Sequence, residues 1–130
     1  MHKNFIKIAA ILGALTVLLG AFGAHTLKEI ISEKSLAIFE TGVRYQFYHL
    51  VALLIIGMIY KEYSNRRLIW AGRCFLIGIL LFSGSLYLLA IAGPSYSIIG
   101  IITPFGGGLF ILGWIFLFSG VVKNDHSSNL

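Results

Sequence analysis

Long apolar runs, rather than period-two alternation, organise this chain. Four stretches stand out, residues 6–24, 45–60, 72–92 and 104–122, and charge enters them only near their edges, at Lys7 and Arg73. A helix needs about 20 residues to cross the hydrocarbon of a bilayer, and each run comes close to that length. The segments between them carry turn and cap chemistry. Thr26-Leu27-Lys28-Glu29 has the form of a capping box, in which the hydroxyl and the carboxylate satisfy free backbone donors at a helix start. Leu27, Ile30 and Ile31 then face away from Lys28, Glu29, Ser32 and Glu33, which predicts a short amphipathic helix on the membrane surface. A second helical stretch is expected from about Ser35, running into the second span. Gly93-Pro94 breaks the chain after the third run. Thr103-Pro104 reads as a cap followed by proline at the first helical position, where its missing N–H is not needed. The predicted fold is therefore all-α: a single integral membrane domain over residues 1–130, a four-helix transmembrane bundle wired up-down-up-down.

Composition makes the bilayer the only consistent solvent. Of the 130 residues, 58% are hydrophobic and 12% charged, against about 25% charged in ordinary soluble domains. Four spans of about 20 residues leave little chain for a soluble catalytic domain. The net charge of +5 does not point to nucleic acid, because the basic residues flank apolar runs and form no stripe. They read instead as topology signals. Lys3, Lys7, Lys61, Arg66, Arg67, Arg73 and Lys123 lie on one side, and Lys28, Lys34 and Arg44 on the other, which predicts both termini in the cytoplasm of a plasma-membrane protein. The first run has a basic start and Ala21-Phe22-Gly23 resembles a small-x-small cleavage site, but its apolar core is long for a signal peptide, so a retained helix is expected. Residues 124–130 read as a frayed tail. Cys74, the single cysteine, reads as a small core hydrophobe.

Against this background the uncharged polar residues stand out. His25, Tyr45, Gln46, His49, Ser83, Ser85, Tyr87 and Thr103 lie in or beside apolar runs, where each needs a partner or a task. Counted from Arg44 at ~1.5 Å per residue, His49 falls in the outer half of the membrane; Ser83 and Ser85 fall near its middle, Tyr87 farther out, and His25 and Thr103 on the outer side. Tyr45, Gln46 and His49 share i,i+3 and i,i+4 spacing, as do Ser83 and Tyr87, so the two faces are expected to meet and hydrogen-bond. With Gly106, Gly107 and Gly108 at the entry of the fourth run, these residues define a candidate ligand-binding pocket for a small molecule, ion or lipid. The competing interpretation is helix glue, worth about 0.6–2 kcal/mol per bond. Ala9, Gly13, Thr16, Gly20 and Ala24 form a small-residue stripe on the first helix, the kind of face that packs helices closely and predicts a homo-oligomer in the lipid bilayer.

Sharper chemistry finds less support. His25, His49 and Glu40 are types that bind zinc, but none of the pairs has the spacing of a preformed helical site, so no metal or cofactor is predicted. Ser83 or Ser85 with His49 would be a hydrolase dyad, yet no nucleophile elbow and no orienting acid accompany them. The chain is thus expected not to be an enzyme. A proton-coupled transporter or channel subunit titrating His49, and a structural or assembly protein, are the alternatives.

Several segments occur in a recognisable order: Gly20-Ala21-Phe22-Gly23-Ala24-His25, Thr41-Gly42 before Tyr45-Gln46 and His49, Phe82-Ser83-Gly84-Ser85-Leu86-Tyr87, and Thr103-Pro104-Phe105-Gly106-Gly107 with Gly113-Trp114 beyond. In this order they resemble the bacterial membrane family of unknown function 423, also called uncharacterised protein family 0382, to which eukaryotic transmembrane protein 256 is distantly related. The resemblance implies a small four-helix protein of the bacterial plasma membrane. It implies no reaction and no catalytic residues.

Overall fold

The computed structural model describes residues 2–125; the tail beyond, where fraying is expected, lies outside the described residues. Helix α1 covers Lys3–His25 and α2 covers Glu33–Ile59. The third span is α3 (Arg66–Gly78), a π-turn (Ile79–Ser83) and α4 (Gly84–Ala92) in one continuous rod, and α5 covers Ile102–Asp125. Four segments of 27, 27, 27 and 28 residues are long and apolar enough to span a membrane. They alternate in direction. The α1 helix packs on α2, α2 on the third span, and the third span on α5.

Local chemistry sets the ends. The Ser32 hydroxyl accepts from the Ser35 backbone N–H at 3.2 Å and starts α2. Asn65 starts α3 by accepting from the N–H groups of Arg67 and Leu68 at 3.0 and 3.2 Å. Gly93 ends the third span at φ 83°, a conformation only glycine adopts without strain.

Two local expectations are corrected and a third is met. The first-loop element is a single 3-10 turn, Leu27–Glu29, and Thr26 makes no side-chain cap bond. Burial of Leu27 against Phe39 holds this turn, so the backbone continues from α1 into it without a fresh helix start. The helical stretch expected from about Ser35 into the second span is present as α2, which begins two residues earlier, at Glu33. Thr103 does not act as a free cap: the chain enters α5 from a 3-10 segment, Pro94–Ile101, and the Thr103 hydroxyl bonds Ser85.

Glycines decide how closely the rods approach. A Cβ at Gly78 would meet the Phe110 ring at 2.6 Å, and one at Gly113 the Phe75 ring at 2.5 Å, so each aromatic ring seats in a notch of the facing helix. The small-residue stripe of α1 serves this packing too. Ala9 and Thr16 are buried, and Gly20 faces Val43 of α2, while Gly13 has open space beside it and Ala24 is exposed.

Candidate functional site

The polar side chains do not form one layer. They form a ladder that descends from the end of the bundle bearing the first and third loops. At the top, Ser85 and Thr103 join the third span to α5 at 2.6 Å. Below, the Ser83 hydroxyl donates to the Gly42 carbonyl of α2 at 2.7 Å. Next comes a chain across three helices: Tyr87 Oη donates to Gln46 Oε1 at 2.8 Å, and Gln46 Nε2 donates to Thr16 Oγ1 at 2.8 Å. Thr16 in turn donates to the Leu12 carbonyl at 2.6 Å. Every partner in this chain is satisfied inside the protein, and the chain joins α1, α2 and the third span.

His49 belongs to another group. It lies 16 residues from the start of α2 and 10 from its end, about 24 and 15 Å along the axis. The Trp114 indole N–H donates to His49 Nε2 at 3.2 Å, and His49 Nδ1 faces the Tyr45 carbonyl at 2.7 Å. An indole only donates and a carbonyl only accepts, so these partners assign a neutral ring with its proton on Nδ1. The imidazole also stacks on Phe110, centroids 3.5 Å apart and 6° from parallel.

Tyr45 shares this side of α2 with His49, but Gln46 points the other way, toward α1 and Tyr87. The expected three-residue face therefore splits in two. The Tyr87–Gln46 bond is the predicted meeting of two polar faces, whereas Ser83 reaches a backbone carbonyl instead. His25 is exposed at the end of α1 and stands apart from the ladder. Gly106 is buried against the Phe82 backbone and lines nothing.

Tyr45 and His49 open onto a groove of about 750 Å³ between α2 and α5, with Tyr48, Phe82, Gly107 and Trp114 among its walls. No Asp, Glu, Lys or Arg lines it. The π-turn contributes by carrying Phe82, whose ring lies 4.7 Å from Tyr45 and 5.4 Å from Phe110. Such turns widen a helix locally and recur at functional sites. The groove faces sideways, toward the bilayer: Tyr48 and Trp114 are half exposed. Among the described residues no group of three or more His, Cys, Asp or Glu gathers to hold a metal.

Sequence reasoning passed over Trp114, Phe82 and Phe110 as site residues and placed Thr16 only in a packing stripe. One signal was available: an indole N–H deep in an apolar helix needs an acceptor, and few exist in this chain.

Comparison with known proteins gives a family and no reaction. Residues 19–107 match the family model described as protein of unknown function (DUF423). A UPF0382 membrane protein of Staphylococcus epidermidis is 43% identical over 122 residues, covering 91% of this chain and 98% of the relative. The UPF0382 membrane protein YwdK of Bacillus subtilis is 43% identical over 122 residues, covering 93% and 98%. A UPF0382 membrane protein of Haemophilus influenzae is 41% identical over 125 residues, covering 95% and 98%. No solved structure matches.

Proposed function

This chain belongs to the DUF423 family, and from that premise we propose that it is a non-enzymatic plasma-membrane protein whose lateral groove takes up a lipid-soluble molecule from the bilayer. One observation carries the reading: a groove of about 750 Å³ with aromatic walls and no charged side chain opens on the side of the bundle, between α2 and α5. An apolar concavity with a few placed polar groups is the usual form of a small-molecule site. Both termini are assigned to the cytoplasm by the excess of Lys and Arg on their side. Self-association is a separate proposal, and its remaining basis is the open step at Gly13.

The proton-coupled alternative draws less from the geometry. Both ring nitrogens of His49 already have partners, and no charged side chain lines the groove to relay a proton.

Photolabelling in native membranes with a small apolar diazirine tests the groove. Labels are expected to concentrate, and to saturate, on peptides carrying Tyr48 and Gly108. Uniform, non-saturating labelling that extends equally to Val17 and Leu18, exposed on α1, would remove the reading.

A further inference from the structure

We propose that the outward face of α3 binds the phosphate of an anionic phospholipid, at the end of the bundle that carries both chain termini. Arg66, Trp70, Arg73 and Ile77 recur at i, i+4, i+7 and i+11, so they share one face of the helix. All four are exposed, as is Leu80 one turn further on. The rest of α3 is covered: Leu68, Phe75 and Gly78 pack on α5, and Gly72 receives the Phe5 ring of α1. Within the exposed face the Arg73 guanidinium lies over the Trp70 ring, 5.1 Å from its centroid. A guanidinium stacked on an indole is held in place while its N–H edge stays available to an acceptor. Arg67 is different. Its guanidinium donates to the Ser119 carbonyl of α5 at 3.1 Å, so it turns to a neighbouring helix.

Charge selects the ligand. Residues 66–92 carry no Asp or Glu, and the first turn of α3 holds two arginines where the helix dipole favours an anion. Glu62, in the turn just before, sets one carboxylate against Arg66, Arg67 and Arg73, so this end stays positive. Guanidinium groups meet a phosphate through paired N–H donors, a geometry an ammonium lacks. The order of residues along the face selects a lipid as the source of that phosphate. Charge stops at Arg73, and the 19 residues from Cys74 to Ala92 carry none. They extend about 28 Å, close to the hydrocarbon thickness of roughly 30 Å. Arg73 and Trp70 therefore stand at the headgroup boundary, the level where tryptophan collects in membrane proteins. Ile77 and Leu80 then offer apolar surface to the acyl chains. A phospholipid answers both halves of this face, and a soluble anion answers only the first. A zwitterionic headgroup would bring its own ammonium against the arginines, so the lipid is one of net negative charge.

Native mass spectrometry of the full chain, released from nanodiscs of equal parts phosphatidylglycerol and phosphatidylcholine, tests the site. Retained phosphatidylglycerol is expected in excess of phosphatidylcholine. Arg66→Gln and Arg73→Gln should each lower that preference about tenfold, the worth of one hydrogen bond between charged groups. Arg73→Lys keeps the charge that orients the span but loses the planar fork, so it should fall between the parent and Arg73→Gln. Arg67→Gln removes the same charge from the same end and should leave the preference near that of the parent. Equal retention of the two lipids by the parent would overturn the proposal. A loss in Arg67→Gln as large as in the other two glutamine variants would also overturn it, by reducing the effect to diffuse surface charge. A readout that leaves α3 untouched comes from Trp70 itself. The chain has two tryptophans, so Trp114→Phe isolates its emission. Phosphatidylglycerol with brominated chains, diluted in plain phosphatidylcholine, should quench Trp70 more than brominated phosphatidylcholine diluted in plain phosphatidylglycerol. Equal quenching would refute the lipid preference without any substitution on the face.

Discussion

Gly106→Ala puts the packing of the bundle to its most direct test. A Cβ at Gly106 would run into the backbone nitrogen of Phe82 and would lie 2.7 Å from Phe82 Cβ and 2.8 Å from Phe82 Cα. Ordinary van der Waals contact begins near 3.4 Å. The obstacle is backbone, not the end of a flexible side chain, so α5 and the third span must separate by roughly 1 Å. Overpacking of this kind costs about 1–3 kcal/mol, and the rigid partner places it at the upper end. Alanine returns about 1 kcal/mol of helix propensity over glycine. The net expectation is a loss of about 2 kcal/mol. Separation would also loosen Phe110 in its Gly78 notch and the stack on His49. Unfolding in mixed detergent micelles measures the loss, with Gly108→Ala as the control. Open space at Gly108 removes the clash and keeps the propensity gain, so that variant should be as stable as the parent or up to about 1 kcal/mol more stable. A Gly106→Ala protein no less stable than the parent would refute the reasoning, because no relaxation of the Phe82 side chain can clear its own backbone.

Two further outcomes follow from the same contacts. Gln46→Leu should cost about 1–2 kcal/mol by leaving the Tyr87 hydroxyl unpaired, and Tyr87→Phe should lose most of its own effect in the Gln46→Leu background, as a double-mutant cycle in detergent would read. Asn65→Ala should lower thermal stability by about 1–2 kcal/mol, because Asn65 both caps α3 and donates to the Gly120 carbonyl at 2.8 Å, tying the start of the third span to the end of α5; unchanged melting would deny that tie.

Residue by residue, legibility followed the range of the physics involved. The span count, the Gly93-Pro94 break and a helix running from about Ser35 into the second span were readable, because hydropathy over 20 residues and single-residue backbone preferences act locally. So was the pairing of Gln46 with Tyr87, since a buried amide in hydrocarbon must find a polar side chain and few were on offer. The Thr26 capping box was misread because Leu27 gains more by burial against Phe39 than the hydroxyl gains by capping.

What sequence alone determined, then, is the solvent, the helices and the need of each buried polar group for a partner, all of which follow from the cost of exposing polar atoms to hydrocarbon. Tertiary structure decided which partners were found. Gln46 and His49 stand three residues apart on one helix, yet one is spent holding three helices together and the other lines a groove. That division depends on where the neighbouring rods lie, and glycine notches such as Gly78, Gly106 and Gly113 set that geometry at distances no local pattern encodes.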